Sequence, residues 1–384
     1  VSTIPAQKDL VLIGGGHAHV GVLANLGTSP IAGARVTLIA RDVATPYSGM
    51  LPGYIAGHYT RAECHIDLRP LAKTAGVQLI HAAATGIDLE RRLVSCSNGL
   101  PVRFDVLSID IGSTPDMSTV PGAADQAIPV KPIDGLAARW ERIVAEVASG
   151  AGPRRFVTVG GGAAGVEMTL AMRHRLRRIA ADPGALAFAL VTSGEILPGS
   201  PAGARAWFRR HFARLGIGLA EHTRVASVAD GTVIGENGAR VAFDRLLWVT
   251  EAGGAPWLAA TGLKLDARGF IEVDACLSAL GTDAVFAAGD IASNVDHPRP
   301  KAGVFAVRQG LPLAQNLRRA LAGAPLVPFT PQRRFLTLIS TGDRHAVAAR
   351  GAFWAHGRWA WAWKDRIDRT WMRQYQLPPG SGGS

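Results

Sequence analysis

Cysteine is scarce in this chain, and its scarcity narrows the chemistry before any motif is considered. Three cysteines in 384 residues, Cys64, Cys96 and Cys276, stand far apart with no C-x-x-C pair. That spacing argues against a disulfide framework, a zinc site or a redox dithiol. No run of about 18 apolar residues offers a bilayer span, and Val1 to Leu10 leads straight into a strand rather than through a signal peptide, so a cytoplasmic location is expected. Charged residues make up only 18% against 48% apolar, a balance typical of a soluble globular chain long enough for more than one domain. Lysine is sparse beside arginine, and the net charge of +11 comes from arginines spread along the chain. No nucleic-acid motif accompanies them. The excess is therefore read as a solvated surface, with attraction to an anionic membrane as the next alternative and nucleic acid last.

Glycine, by contrast, is placed with purpose. Lys8 to Ile13 is an apolar strand followed by Gly14-Gly15-Gly16-His17-Ala18-His19 and an apolar run, Val20 to Leu26, that fits a helix. Around Gly14, Gly16, His17 and Ala18 the backbone can approach a pyrophosphate whose charge meets the helix N-terminus. The pattern departs from G-x-G-x-x-G at its last place, where His19 stands for glycine; either helix and strand pack differently there or the helix begins later. His17 and His19, an i, i+2 pair without further His or Cys nearby, read as capping and packing residues, and no metal is expected. A second strand, Arg155 to Val159, leads into Gly160-Gly161-Gly162-Ala163-Ala164-Gly165-Val166-Glu167. Here the full strand, glycine loop and helix arrangement is present, with Gly160, Gly162, Ala163 and Gly165 as the cofactor-facing positions. Late in the chain Val285, Phe286 and Ala287 run into Gly289-Asp290, which delivers a carboxylate to a strand's C-terminal end, where it can accept hydrogen bonds from a polyol.

Both strands that should end in a ribose-binding acid lack it. Arg35 to Ala40 ends in Ala40-Arg41-Asp42, so either Asp42 reaches back or Arg41 and the backbone hold an adenosine. Ala187 to Thr192 continues into Thr192-Ser193-Gly194, with neither an acid to mark NADH nor an arginine to mark NADPH. Gly112-Ser113 after the strand 104–111, and Gly253-Gly254 after the strand 246–250, are matching points of close backbone approach. Asp110 lies inside an apolar run, where an unpaired carboxylate is costly; it is expected to be hydrogen-bonded at the strand's end and is given no chemistry. The cations Arg173, His174, Arg175, Arg177 and Arg178 fall on several faces of one helix and read as solvated charge.

In their order, these motifs resemble the two-dinucleotide flavoproteins of the pyridine nucleotide-disulfide oxidoreductase class. The run Gly14 to Val20, together with Tyr47-Ser48-Gly49-Met50-Leu51-Pro52-Gly53, is similar to the flavoprotein family found alone or fused ahead of selenide, water dikinase, itself similar to type II NADH dehydrogenases. The resemblance implies an α/β fold with two Rossmann-like dinucleotide-binding domains, the second inserted in the first. An FAD domain is expected over 1–114 and 266–324, and an NAD(P) domain over 115–265. A C-terminal hairpin and amphipathic helix follow over 325–376, and a flexible tail over 377–384. The same resemblance implies FAD at the first loop, with Gly289 and Asp290 on its ribityl chain, the Ser48–Met50 turn beside the isoalloxazine ring and the backbone near Ala84 at the adenine. NADH or NADPH is implied at the second loop, with Glu167 facing the nicotinamide pocket and flavin. As a charge near a helix N-terminus Glu167 would also contribute ~0.3–1 kcal/mol. Pro300-Lys301-Ala302 opens a helix whose N-terminus, with Lys301, would favour negative charge on the flavin pyrimidine edge; an ordinary surface lysine is the alternative. Glu167 and Lys301 are thus the catalytic candidates.

Beyond an apolar strand at 333–340, residues 346–354 and 358–363 read as a hairpin turning at His356-Gly357, with Trp359, Trp361 and Trp363 alternating on one face. From Trp363 the spacing becomes i, i+4 through Ile367, Trp371 and Tyr375, with Lys364, Arg366, Arg369 and Arg373 elsewhere around the helix. Such a segment suits an anionic membrane surface, as C-terminal elements of type II NADH dehydrogenases do, or packing on the protein, or a homodimer seam. The expected reaction is hydride transfer from NAD(P)H to flavin and passage of electrons to a quinone or other small acceptor. A reductase of a soluble redox protein or selenium compound, and a non-catalytic flavin-bearing interaction subunit, are the alternatives. Sulfide:quinone and disulfide reductases are disfavoured, since both need paired cysteines beside the flavin.

Overall fold

Short apolar strands that end in glycine set the architecture. The computed structural model describes residues 7–376 apart from Asp116, Pro132 and Glu251, so the tail expected at 377–384 lies outside the described residues. In chain order come β1 (Lys8–Ile13), α1 (His17–Thr28), β2 (Ala34–Ala40), β3 (Gln78–His81), β4 (Val106–Ile109), β5 (Ala127–Pro129), α2 (Ile133–Ala148), β6 (Arg155–Val159) and α3 (Ala163–Ile179). There follow β7 (Ala187–Val191), α4 (Ala202–Leu215), β8 (Ile217–Ala220), β9 (Arg245–Trp248), β10 (Val285–Ala287), α5 (Gly303–Ala322), β11 (Thr337–Ser340), β12 (Ala346–Arg350), β13 (Phe353–Gly357) and α6 (Arg358–Arg373).

Two five-stranded parallel sheets result. The first has the order β10-β4-β1-β2-β3 and the second β5-β9-β6-β7-β8. Leu10 to Ile13 and Val285 to Ala287 are buried throughout, as parallel strands covered on both faces require. β10 returns to the first sheet only after the second is complete, and an antiparallel ladder of Thr114–Pro115 with Ala252–Gly253 links the two. In each sheet the strand order reverses beside the strand that precedes the glycine loop, β1 or β6, which puts both loops at topological switch points, where open α/β sheets hold ligands. Short antiparallel meanders, at 84–103 and 225–242, flank the sheets.

At the first loop the helix begins at His17, directly after the third glycine, so the departure at His19 is absorbed by packing and not by a later start. The His19 imidazole is fully buried, with Nδ1 2.7 Å from the Gly14 carbonyl and Nε2 2.8 Å from Ser108 Oγ. Two of the cations read as solvated also have structural partners: Arg173 donates to the Leu215 carbonyl and Arg177 to that of Leu186. The C-terminal hairpin differs from expectation. It turns at Gly351-Ala352, where Gly351 has φ +61°, and β13 ends where the turn was placed. Trp359, Trp361 and Trp363 therefore belong to α6, because their alternation over so short a run is also compatible with helical spacing. Among the described residues no helix is long and apolar enough to cross a membrane.

α1 packs against α5 through a glycine pair. A Cβ on Gly310 would lie 3.0 Å from Gly21 Cα and 3.1 Å from the Ala18 carbonyl oxygen. The helices approach so closely only because both positions lack a side chain. Gly310→Val should lower the free energy of unfolding by about 1–3 kcal/mol, the usual cost of overpacking, as read from urea titrations. An unchanged midpoint would show that the two helices do not meet at this point.

Candidate flavin and nicotinamide sites

The first site is built where β1, β4 and β10 end together. Gly14 has φ +91°, and a Cβ there would stand 2.3 Å from the Asp110 carbonyl oxygen, so the chain can make this turn only with glycine. The Gly16 amide donates to the same carbonyl at 3.0 Å. Asp110, 2% exposed, turns its carboxylate under the loop, where Oδ2 accepts the amides of Ala18 at 2.9 Å and His19 at 3.1 Å. Burial pushes this carboxyl up to about 7, with Asp290 adding to the effect and the two amides opposing it.

Gly289 and Asp290 stand on the other side of Asp110. Asp290 Oδ2 takes the Lys131 ammonium at 2.6 Å, and Lys131 also donates to Ser113 Oγ at 2.8 Å. The second carboxylate oxygen, Oδ1, has no hydrogen-bond partner among the described residues and is available to a hydroxyl-bearing ligand. Gly112, at φ +72°, has open space where its side chain would be. The Ser48–Met50 turn reaches the start of α5: a Cβ on Gly303 would lie 3.2 Å from Ser48 Oγ, while Met50 is buried beneath. Ala302 caps α5 without a side-chain hydrogen bond. Asp110 thus brings Gly14, Gly16, Ala18 and Gly289 together, the Tyr47 ring sets His17 beside the Ser48–Met50 turn, and Gly289, Asp290 and Ala302 line one crevice, with Gly112 next to the Ser113 that Lys131 contacts. This crevice fits a flavin nucleotide on its own features: a glycine cradle closed to any Cβ, the unengaged Asp290 oxygen, and a buried His17 Nε2 with no partner.

Three further candidates have contacts of their own, and Lys301 lines one pocket with Gly289, Asp290 and Ala302. Lys301 turns its ammonium onto the Ala292 carbonyl at 2.5 Å and the Phe270 ring at 4.0 Å, and burial lowers it to about 8. Arg41 pairs with its neighbour Asp42 at the exposed end of β2. Ala84 lies in the meander, paired with Cys96.

At the second loop the turn is purely steric. Gly160 has φ +128°, and a Cβ on Gly165 would lie 1.9 Å from the Gly160 carbonyl oxygen, so helix and strand meet backbone to backbone. Gly162 caps α3, and the amides of Ala163, Ala164 and Gly165 have no acceptor among the described residues. They leave the helix terminus with donors free to meet an anion. Thr192 is buried, its hydroxyl 2.4 Å from where a Gly161 Cβ would be, and Gly253 sits in the ladder joining the sheets.

Between the loops lies a cluster that the sequence does not announce. Glu167, on α3, accepts the Ser340 amide at 2.7 Å, and burial raises its carboxyl to about 7. α6 brings Lys364, 13% exposed, whose ammonium bonds the Gly49 carbonyl at 2.5 Å and Asp368 at 2.8 Å. Burial opposes the lysine's charge, yet Asp368 and Glu167 hold it above the usual lysine value. The Tyr47 hydroxyl is held well above the usual phenol range, first by burial and then by the nearby Asp368 carboxylate. Trp371 stacks on Tyr47 with centroids 4.3 Å apart and meets His17 edge-on at 5.3 Å. The i, i+4 spacing of Lys364 and Asp368 could have suggested a pair, but nothing in it points at Gly49. The three cysteines are free, and burial pushes the Cys64 thiol up to about 12, far from a reactive thiolate.

Comparison with known proteins agrees with this geometry. An NADH dehydrogenase-like protein of Mycobacterium tuberculosis is 26% identical over 299 residues, 75% of this chain and 74% of that protein. The demethylphylloquinone reductase of Synechocystis is 24% identical over 286 residues, 71% and 69% of the two chains. Among solved structures, the sulfide:quinone oxidoreductase of Aquifex aeolicus superposes with a TM-score of 0.81 at 17% identity, covering 97% of this chain and 93% of that one, and so shares the fold. Residues 8–310 match the family model for pyridine nucleotide-disulphide oxidoreductases, and the chain belongs to that family of FAD- and pyridine nucleotide-dependent oxidoreductases.

Proposed function

We propose that this oxidoreductase takes reducing equivalents from NAD(P)H at the second loop and delivers them, through FAD at the first, to a quinone on the side covered by α6. The observation that carries the reading is the buried group of Glu167, Lys364, Asp368 and Tyr47 between α3 and the Ser48–Met50 turn. FAD, when bound, accepts a hydride and releases its two electrons to the acceptor. Reducing a quinone to a quinol consumes two electrons and two protons, whereas hydride carries two electrons and one proton. The protein must therefore supply the other proton, and an enclosed carboxyl at about 7 is matched to that task. Lys364 keeps Glu167 within the neutral range by opposing the effect of its burial. Gly160, Gly162, Ala163 and Gly165 would hold the nicotinamide dinucleotide, with Thr192 and Gly253 lining its path, and Arg41 and Ala84 would meet the flavin's adenosine half. The names of the Synechocystis and Aquifex proteins support a quinone as acceptor, and the absence of paired thiols speaks against sulfide.

On α6 the face opposite this cluster is apolar and open: Trp359 is 52% exposed, Trp363 45% and Ile367 42%, and Phe353 on β13 is 85% exposed. Arg358, Arg366 and Arg373 are exposed around them. Aromatic residues ringed by arginines suit an anionic membrane surface, each cation adding about 1 kcal/mol there, and a lipid-dissolved quinone would then be delivered to the same helix.

Anaerobic titration tests the reaction: NADH or NADPH should bleach the bound flavin, and bleaching by neither would support the non-catalytic subunit instead. Glu167→Gln should leave bleaching intact and cut quinone turnover by about 10²–10⁴-fold, the usual contribution of a general acid. Because Glu167 holds its proton below about 7, wild-type turnover should decline as pH rises through that value; a variant that keeps both rate and profile rejects the role. For the membrane reading, the Trp359→Ala, Trp363→Ala double variant should lose sedimentation with anionic phosphatidylglycerol vesicles. Equal recovery of wild type and variant would dismiss it.

A further inference from the structure

The reaction proposed above makes no use of Asp110, although its carboxylate touches both halves of the flavin crevice. A Cβ on Gly16 would lie 2.2 Å from that carboxylate and one on Gly289 2.4 Å from its Oδ1, so it is wedged between the two glycine motifs. It also occupies the amides that a dinucleotide fold offers to a phosphate. Of the first-turn amides of α1 without a helical partner, Ala18 and His19 donate to Asp110, and only that of His17 has no acceptor among the described residues. The second loop has no such occupant at Ala163, Ala164 and Gly165.

A dianionic pyrophosphate arriving here meets an anion already in place. The surroundings offer little compensation. Asp290 faces Asp110 and is itself held by Lys131. From α1, burial holds both His17 and His19 down at about 4, so both are neutral near pH 7. Lys301, at the start of α5, spends its ammonium on the Ala292 carbonyl.

We propose that Asp110 is a proton-linked positioning residue of the flavin site: FAD seats its pyrophosphate over the first loop only against the neutral carboxyl, and binding takes up one proton there. The proposal rests on the first loop being the FAD site. A neutral carboxyl still accepts the Ala18 and His19 amides through Oδ2 and gains an O–H to donate, whereas the carboxylate can only accept. Burial and Asp290 bring the group to about 7 before any phosphate arrives, and a neighbouring dianion raises it further. The sign follows: the bound state holds the proton more tightly than the free state. FAD affinity is then flat below about 7 and falls by up to tenfold per pH unit above it, until the higher bound-state value is reached.

FAD is removed from the full-length protein and titrated back between about pH 6 and pH 9, by flavin fluorescence and by calorimetry in two buffers of different ionisation heat. Wild type should take up close to one proton per FAD at about pH 8. Asp110→Asn, which keeps the acceptor and a donor, should bind FAD with a flat pH profile and no uptake, while Glu167→Gln retains the wild-type uptake. Wild-type binding without proton uptake overturns the proposal even if Asp110→Asn fails to fold. Uptake that survives in Asp110→Asn, or vanishes in Glu167→Gln, overturns it as well. Failure of wild type to bind FAD at any pH would instead remove the flavin reading itself.

Discussion

The contact between the Asp110 carboxylate and the glycines around it is the constraint on which the first sheet's ligand end depends. Gly16 and Gly289 come from segments more than half the chain apart, yet neither could carry a side chain while Asp110 lies between them. The carboxylate satisfies amides that would otherwise be orphaned at the helix start, and the His19 imidazole ties the Gly14 carbonyl to Ser108. The first loop is therefore held by a polar network. The second reaches the same backbone path by bare steric contact, Gly165 against Gly160. His19 can replace a glycine because its ring finds two partners, and Asp110 can replace an apolar strand residue because it finds two amides. Both substitutions stiffen the loop and leave fewer free donors at the phosphate end.

A second dependence runs through α6. Its inner face is attached to the flavin-side loop by polar contacts and not by apolar burial alone. Lys364 reaches Gly49, Asp365 accepts the Tyr59 hydroxyl at 2.7 Å, and Arg369 bonds Glu63 at 2.8 Å, while Trp371 covers Tyr47. The exposed tryptophans sit on the opposite face of the same helix. Any displacement of α6 by a surface or a partner would strain the Gly49 carbonyl and the Lys364–Asp368 pair, and through them alter the field at Glu167.

How much of this was legible in the sequence depends on how local the information is. Gly160 to Glu167 declares itself because strand, loop and helix are contiguous, and Gly289-Asp290 because an apolar strand ends in a glycine turn and a carboxylate. Lys131 and Lys364 gave no such signal, since their partners lie 159 and 315 residues away. Asp110 was expected to be hydrogen-bonded at a strand end, and it is, but its contact with Gly289 depends on β10 pairing beside β4. The hairpin turn lies five residues before its expected place, because tryptophans at alternate positions over 359–363 satisfy a strand while Trp359, Trp363 and Ile367 satisfy a helix equally well. Short windows do not separate these periods.

The cations near the crevice differ in what their charge already serves. Lys301 precedes the helix that points at the expected flavin edge, but its ammonium is committed to a carbonyl and an aromatic face, and its burial makes the charge costly. Lys131, from a proline-flanked loop, instead meets Asp290 directly and bridges to Ser113. It follows the strand β5 of the second sheet and grips a carboxylate of the first. A cation so placed makes the crevice's charge balance depend on how the two sheets are disposed. An arrangement that withdrew Lys131 would leave the Asp110 and Asp290 carboxylates facing one another uncompensated, which opposes a bound dianion. A contact between the two sheets is thus also what balances the charge of the crevice.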